Sequence, residues 1–205
     1  MWATSVMMMK IKMSNNDLPP FSSLAGQILI AMPNIDDDRF EQAVIYVCSH
    51  TEEEGAIGLV INHPANQLTL KDITMQLQLD PLPEMANKPL FIGGPDQITR
   101  GFVLHSDDYQ SVSTSLVENG IALTATQDII KDIALGNGPR NSLITLGRSS
   151  WIRGQLEEEI MTNIWLTAVP TYDLIFNTPY PKQWSTALKL LGVQPELLAT
   201  GAGKA

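Results

Sequence analysis

The chain has 205 residues, of which 44% are hydrophobic and 17% charged, and its formal net charge is −9 at pH 7. This composition is typical of a folded globular domain and excludes a disordered chain, while the negative charge disfavours nucleic acid because it repels phosphate groups. A single cysteine, Cys48, excludes an intrachain disulfide, and no apolar run reaches the ~20 residues that a membrane-spanning helix needs.

The first part of the chain predicts a short strand and a β-hairpin. Residues 1–20 are predicted to be a disordered tail, and residues 21–198 a single domain followed by a frayed C-terminus at 199–205. The apolar run at 27–31 ends near a proline and is typical of a strand. Residues 43–62 hold two apolar, β-branched runs around an acidic turn, so they predict a hairpin whose first strand is covered on both faces.

The middle of the chain predicts short helices between strands. Thr69 is placed to cap a short helix, and a proline-rich linker covers residues 80–89. Thr126 is placed to cap a second helix that runs through Leu135. Strands are predicted where apolar runs meet turn residues, at 89–92, 101–105, 121–124 and 142–146.

The last part of the chain predicts a loop, two strands and a terminal helix. Residues 147–155 are predicted to be a loop that leads into a helix, with the acids at 157–159 in its first turn. Residues 165–169 and 173–176 are predicted as strands, and 183–191 as a helix. Because strands and helices mix without strict β–α–β alternation, the predicted fold class is α+β with a largely antiparallel or mixed sheet.

Four blocks, in order along the chain, resemble the YqgE/AlgH family of bacterial proteins. They are Leu24-x-Gly26-x-x-Leu29-Ile30-Ala31-Met32-Pro33 with Asp37-x-x-Phe40; Val44–His50 with Gly55–Asn62 and Pro64; Gly93-Gly94-Pro95 with Arg100–His105; and Leu146-Gly147, Trp151 and Gly154–Ile160. The resemblance implies a compact α/β-type domain with a strongly bent sheet, or pseudo-barrel, flanked by helices in a cytosolic protein. It implies no catalytic mechanism, and the name of one branch as a regulator of alginate production suggests a regulatory role.

The chain departs from the pattern of this family at two informative places. Asp96 stands where the resemblance implies an apolar residue, and Arg148-Ser149 stands where it implies an aromatic and a small residue. A ligand or partner site at the Trp151 loop would therefore have a specificity that differs from that of the family.

One cysteine and two histidines are the candidates for nucleophilic or redox chemistry. Cys48 and His50 are two residues apart on one strand, so both side chains are expected on the same face, about 6.6 Å apart along the strand. They are a candidate reactive pair, against the alternative that Cys48 is a small buried apolar residue. His105 is a candidate to meet His50 across the sheet, against the alternative of a histidine held by backbone groups.

The turn at Gly93-Gly94-Pro95 and the side chain of Arg100 are candidates for ligand contact. The two glycines permit a close approach of the backbone to a ligand, although they lack the spacing of nucleotide-binding loops; a tight turn is the alternative. Arg100 is a candidate to bind an anion or to form a salt bridge with Asp96 or with the pair Asp107-Asp108.

The segment 147–155 is the strongest candidate for a ligand or partner site. It combines Trp151 with Arg148 and Arg153, and Gln155 opens the following helix. Backbone donors at a helix N-terminus attract anions, and Trp and Arg are enriched at binding hot spots. The alternative is that Trp151 only packs in the core.

The remaining polar features predict no chemistry of their own. The acidic runs at 36–38 and 52–54 lack the spacing of a calcium loop and are predicted to be solvated turns. No Cys/His pattern of a zinc site is present, so we expect neither a metal nor a cofactor.

The sequence holds no complete catalytic constellation, which indicates a non-enzymatic role. We expect a cytoplasmic regulatory or adaptor protein that binds a protein partner or a small anionic ligand. Two alternatives remain: a small enzyme or redox sensor that uses Cys48 with His50 or His105, and a transcriptional regulator, which the negative net charge argues against.

Overall fold

The computed structural model describes residues 21–194. The predicted tail at 1–20 and the predicted frayed end at 199–205 lie outside these residues. In the part of the chain that is described, no helix is long and apolar enough to cross a membrane.

Ten strands and six helices occupy the described residues. The strands are β1 (Ile28–Ala31), β2 (Val44–Thr51), β3 (Gly55–Val60), β4 (Pro64–Thr69), β5 (Pro89–Ile92), β6 (Asp96–Ser106), β7 (Ser115–Leu116), β8 (Ile121–Thr124), β9 (Ser142–Trp151) and β10 (Trp165–Ala168). The helices are α1 (Leu70–Gln76), α2 (Pro83–Ala86), α3 (Gln127–Ala134), α4 (Gln155–Met161), α5 (Tyr172–Phe176) and α6 (Tyr180–Leu190). A 3-10 turn at Asp38–Phe40 separates β1 from β2.

The strands form a strongly curled sheet that is antiparallel along its main path. The strand order is β10-β1-β2-β3-β9-β6-β8-β7, and β4 and β5 extend the sheet beside β9. The pairing of β5 with β9 is parallel, with Leu90 opposite Ile144. The predicted α+β class and the strongly bent sheet flanked by helices are therefore confirmed.

Strand β9 organises the sheet because it pairs with three other strands. Its first half lies between β5 and β6, and its last three residues pair with β3. The β5–β6 turn crosses β9 so closely that a Cβ on Gly93 would lie 2.3 Å from the carbonyl oxygen of Gly147. A Cβ on Gly94, which has a φ of 149°, would lie 2.3 Å from the carbonyl carbon of Arg148. The glycines that were predicted to approach a ligand thus approach the protein's own backbone.

The curled sheet is buried on both faces near β1 and β2. One face packs Ile28 and Tyr46 beneath α5 and α6, and the opposite face packs Leu29 and Trp151 beneath α4. A third cluster fills the space between β5, β6 and β9 and the helices α1 and α3. Burial on both faces explains why β1 and β2 are almost continuously apolar in sequence.

Three predictions of secondary structure are corrected by the structure. Residues 173–176 are not a strand but form most of α5, because the Thr171 side chain caps this helix by accepting the Leu174 N–H at 3.1 Å. The segment 147–151 is not a loop, since β9 continues to Trp151 through its pairing with β3. The predicted linker at 80–89 contains the short helix α2.

Candidate functional site

Helix α4 is docked on the sheet by Leu156, which is buried, and by two carboxylates. His50 and Trp151 lie in one row across the sheet, on either side of β3. His50 Nδ1 accepts the N–H of Leu24 at 3.0 Å, which places the ring proton on Nε2. That Nε2–H donates to Oε1 of Glu157 at 3.1 Å, so the end of β2 is fastened to α4.

Glu159 is the second carboxylate, and three side chains donate to it. Its Oε2 accepts the indole N–H of Trp151 at 2.8 Å and that of Trp165 at 2.7 Å. Its Oε1 accepts from the amide of Gln155 at 2.9 Å, and the same amide accepts the N–H of Ile152 at 3.1 Å. A carboxylate offers roughly four acceptor positions, so Glu159 retains room for about one further donor.

Glu159 and the two indoles form one wall of a cavity of about 570 Å³. Three parts of the chain that are distant in sequence line this cavity. They are residues 34–37, 39 and 40 after β1, residues 95–96 at the start of β6, and residues between 149 and 165 from β9, α4 and β10. The two segments that the sequence singled out, 93–100 and 147–155, therefore meet at one place.

Aromatic rings form the apolar side of this cavity. The ring of Phe40 lies edge-on to Trp165 with centroids 5.6 Å apart, and Trp165 lies edge-on to Trp151 at 6.2 Å. Edge-to-face pairs of this kind hold the rings in fixed relative positions. The wall is therefore rigid and is positioned from two directions, by ring packing and by the bonds to Glu159.

The charged side of the cavity is acidic. Its ionisable lining residues are four carboxylates and one guanidinium: Asp36, Asp37, Asp96, Glu159 and Arg39. Arg39 Nη2 lies 2.6 Å from Asp37 Oδ2, and this hydrogen bond lowers the pKa of Asp37. Asp96 accepts the hydroxyl of Ser150. We call this site the acid–aromatic cavity; its charge favours a cationic group over an anion.

An apolar groove of about 290 Å³ adjoins the acid–aromatic cavity and shares Arg39, Phe40 and Pro95 with it. Ile92 and Ile98 line the groove and are 43% and 63% exposed. Large apolar side chains that remain exposed next to a concave site are typical of a surface that contacts another chain.

Four of the predicted site residues have structural roles here. Trp151 and Gln155 line the acid–aromatic cavity, but Trp151 is only 5% exposed, so it packs in the core and forms the wall at the same time. Gly94 lines the adjoining groove, and Gly93 accepts the Val60 N–H at 2.9 Å through its carbonyl oxygen. The glycine turn thus shapes the site through its close packing on β9.

The predicted arginines do not gather in this site. Arg153 forms an ion pair with Glu52, Nη2 to Oε1 at 3.6 Å. Arg148 is half-buried, lines neither the cavity nor the groove, and its Nε has no hydrogen-bond partner within residues 21–194. Helix α4 has seven residues with Glu157 and Glu158 in its first turn, which disfavours an anion at its N-terminus.

Arg100 lies on an irregular part of β6, where the register against β9 shifts after Asp96. Its guanidinium is exposed and lies 5.2 Å from the ring centroid of Phe102. The predicted salt bridge of Arg100 with Asp96 or with the downstream aspartate pair is wrong for the described residues. Asp96 is bound by a serine hydroxyl, and Asp108 is paired with Arg140 at 2.8 Å.

The predicted pairing of Cys48 with His50 is wrong because a β-bulge separates them. The register between β2 and β3 shifts between Val47 and Ser49, so the alternation of side chains is reversed after the bulge. Cys48 consequently packs in the cluster beneath α5 and α6, whereas His50 lies opposite Ala56 in the cluster beneath α4. Burial raises the pKa of the Cys48 thiol to about 12.

The predicted meeting of His105 with His50 is also wrong, because β3 and β9 lie between their strands. His105 is fully buried, with Nδ1 2.7 Å from the carbonyl oxygen of Ser106 and Nε2 2.9 Å from the hydroxyl of Thr124. Burial lowers its pKa. Among the described residues, no group of three or more metal-ligating side chains is found.

Several lining residues were missed from the sequence. Asp36 and Asp37 were predicted to lie in a solvated turn, and Glu159 was noted only as part of a helix start. A signal was present, because Asp37 and Phe40 stand in the first block of the family resemblance and Glu159 stands in the fourth. Nothing in the sequence indicated that Trp165 shares the Glu159 carboxylate with Trp151.

Comparison with known proteins gives consistent matches over most of the chain. Residues 28–196 match the AlgH-like family. A UPF0301 protein of Methylobacterium nodulans is 44% identical over 195 residues, which is 91% of this chain and 92% of the relative. A UPF0301 protein of Ruegeria pomeroyi is 46% identical over 184 residues, which is 89% of this chain and 99% of the relative.

Solved structures agree with these relationships. The solution structure of the AlgH protein from Pseudomonas aeruginosa is similar, with 38% identity and a TM-score of 0.73 over 92% of this chain and 100% of that one. A crystal structure of a Corynebacterium diphtheriae protein has the same fold, with 18% identity and a TM-score of 0.64 over 92% of this chain and 96% of that one. The chain therefore belongs to the AlgH-like family.

Proposed function

We propose that this protein is a non-enzymatic, cytoplasmic regulatory or adaptor protein that binds a basic segment of a partner protein in the acid–aromatic cavity. The observation that supports this function is the convergence of three distant chain segments on one cavity with four carboxylates and one guanidinium. The sequence led us to expect either a protein partner or a small anionic ligand, and the acidic lining favours the first. The expectation of an anionic ligand depended on Arg148 and Arg153, neither of which lines the cavity.

The lining suits an arginine or lysine side chain of the partner. Such a group donates to the remaining acceptor position of Glu159 and to the carboxylate of Asp96, while its methylene stem packs on Phe40. Arginine is favoured over lysine, because a planar guanidinium donates to two carboxylates at once. A following apolar residue of the partner then lies in the adjoining groove against Ile92 and Ile98.

Asp96 gives this chain its own contribution to the site. It stands where the family resemblance implies an apolar residue, and it lines the cavity at the start of β6. An added carboxylate increases the preference for a cation, so we expect a more basic partner segment here than in relatives with an apolar residue at this position.

A binding role is favoured over catalysis by the composition of the cavity. Within the described residues, its lining contains no histidine, cysteine or lysine, the side chains that most often act as base or nucleophile near neutral pH. Cys48 also lacks the cationic surroundings that activate a thiol, since it is buried among apolar side chains.

Short labelled peptides test the proposal directly. We expect a fluorescein-labelled Gly-Arg-Leu-Gly peptide to bind with higher affinity than the same peptide with Lys, and far more tightly than with Ala or Glu in place of Arg. Fluorescence anisotropy measures the four dissociation constants. Asp96→Asn should weaken the Arg peptide by about tenfold, the effect of one charge-assisted hydrogen bond.

Asp38→Asn is the matched control. It removes the same charge from the neighbouring turn, but Asp38 does not line the acid–aromatic cavity. Affinities that do not depend on the peptide's charge, or equal losses in the Asp96 and Asp38 variants, would refute the proposed function.

A further inference from the structure

A second cavity, of about 260 Å³, lies between the start of β5 and the helices α5 and α6. These two helices cover the face of the sheet opposite to the one that α4 covers. Lys88, just before β5, and Pro89, its first residue, line one side of this cavity. The segment 175–180 lines it from the end of α5 to the start of α6, and Gln183 lines it from α6. Within the described residues, the lining contains one lysine and no carboxylate. We call it the lysine cavity.

Lys88 is available to bind an anion in this cavity. It follows α2, and its position is fixed because its backbone N–H donates to Met85 at 3.0 Å and its carbonyl accepts from Leu70 at 2.9 Å. No Asp or Glu of residues 21–194 lies within ion-pair distance of its ammonium group. Burial of the side chain lowers the pKa of Lys88, which indicates an amine that has lost part of its hydration without gaining an ionic partner.

Gln183 supplies the second feature that points to a ligand. The residue is only 2% exposed, and its Nε2 donates to the carbonyls of Leu174 at 2.9 Å and Ile175 at 3.1 Å. These two bonds fix the amide orientation, because reversing it would place oxygen against two carbonyl oxygens. The Oε1 atom then has no hydrogen-bond partner within the described residues. A buried acceptor without a partner is costly, so it favours an occupant that brings a donor.

The N-terminus of α6 adds to the positive side of the cavity. This helix has eleven residues, and its cap, Pro179, provides no side-chain acceptor. Pro181 has no N–H and the Lys182 N–H donates to the Pro179 carbonyl at 2.8 Å, so the first-turn donor that faces outward from this end is the N–H of Tyr180. Tyr180 opens the helix and lines the cavity, with its ring edge-on to Phe91 at 5.9 Å. The partial positive charge of a helix N-terminus therefore faces the same space as Lys88.

We propose that the lysine cavity binds a small oxyanion that also carries a hydrogen-bond donor, of which an α-hydroxycarboxylate is the simplest example. The anionic oxygens contact Lys88 and the start of α6, and the hydroxyl donates to Oε1 of Gln183. A hydrogen phosphate group meets the same two requirements. The site is independent of the acid–aromatic cavity, and its charge preference is the opposite.

Matched small anions test the two requirements separately. Glycolate and acetate differ by one hydroxyl, and hydrogen phosphate and sulfate differ in whether a donor is present near neutral pH. We expect glycolate to bind the ¹⁵N-labelled full chain about fivefold more tightly than acetate, as one added hydrogen bond predicts, with amide shifts centred on Lys88 and the start of α6. Hydrogen phosphate should likewise bind more tightly than sulfate. Whichever of glycolate and hydrogen phosphate binds more tightly identifies the class of oxyanion.

Two variants and one control decide the assignment. Lys88→Met should weaken all four anions by about tenfold or more, whereas Lys189→Met, at the exposed far end of α6, should leave them unchanged. Gln183→Met should bring the glycolate-to-acetate ratio to about one while acetate still binds, a change that a merely structural role does not produce. Equal affinities for glycolate and acetate in the unmodified chain, or unchanged binding in Lys88→Met, would overturn the proposal, and both can be measured even where Gln183→Met does not fold.

Discussion

The acid–aromatic cavity and the lysine cavity, which lie in one small domain, are lined by side chains of opposite charge. The acid–aromatic cavity has four carboxylates against Arg39, while the lysine cavity has Lys88 and no carboxylate among the described residues. The acidic site is also the more completely bonded, since Glu159 accepts from three side chains, whereas Gln183 leaves one acceptor open. A net charge of −9 therefore does not fix the sign of the charged residues that line a given cavity.

The largest expected effect comes from Glu159, because its removal breaks one cavity and leaves the other intact. Glu159→Ala leaves the indole N–H groups of Trp151 and Trp165 without their acceptor. We expect a loss of about 3 kcal/mol in the free energy of unfolding, given the cost of losing hydrogen bonds to a charged group. Urea denaturation measures this loss, and the Arg-peptide affinity should fall with it while glycolate affinity stays unchanged.

Glu158→Ala is the control for this prediction. Glu158 is exposed on the same helix and makes no ion pair among the described residues, so its removal should change stability by less than about 0.5 kcal/mol. Equal effects of the two substitutions would show that Glu159 contributes only charge, and a loss of glycolate binding in Glu159→Ala would show that the cavities are not independent.

Most strands could be predicted because alternation and β-branched runs are local signals. The failure at 173–176 has a physical cause, since the run of three apolar residues after Asp173 fits a strand and a short helix equally. The better signal was Thr171, whose side chain caps α5. The extension of β9 to Trp151 depends on pairing with β3, almost a hundred residues earlier in the chain, so no local pattern contains it.

The sites were less predictable than the fold because they depend on register and on distant contacts. The bulge between Val47 and Ser49 reverses the side-chain alternation. Cys48 and His50, which strict alternation would place on one face, therefore lie on opposite faces of the sheet. Trp151 was selected from the sequence as part of a candidate site, and it lines the acid–aromatic cavity. Glu159 accepts the Trp151 N–H only because α4 packs back on the sheet, and a local sequence pattern does not predict that packing.

The next prediction is that the two cavities differ in how ligand binding depends on pH. Oxyanion binding requires the charged form of Lys88, whose pKa is lowered by burial, so glycolate affinity should fall by about tenfold per unit once the pH exceeds that pKa. This decline should begin below the usual lysine pKa of about 10.4. Peptide binding should not share this decline, because the arginine of the peptide stays charged over the whole range and the pKa of Asp37 is lowered.

Titrations of both ligands from pH 6 to about 11.5, a range that extends past the usual lysine pKa of about 10.4, make this measurement. Tyr180 is the other titratable side chain that lines the lysine cavity, so Tyr180→Phe serves as a control and should retain the decline. Glycolate affinity that stays constant over the whole range would contradict the assignment of Lys88 as the anion ligand.

The smallest expected effect concerns Arg153 and Arg100, two arginines that the sequence indicated as candidate binding residues. Arg153 forms an exposed ion pair with Glu52 at 3.6 Å, and Arg100 lies exposed over Phe102. Exposed pairs of this kind contribute roughly 0–1 kcal/mol, so Arg153→Ala should change the free energy of unfolding by less than about 0.5 kcal/mol. Both Arg153→Ala and Arg100→Ala should leave the peptide and glycolate affinities within about twofold of the unmodified chain, since neither residue lines the acid–aromatic cavity or the lysine cavity. A large loss of peptide affinity in Arg153→Ala would instead extend the partner surface beyond the cavity to the β9–α4 connection, and would reverse the charge preference expected for the partner.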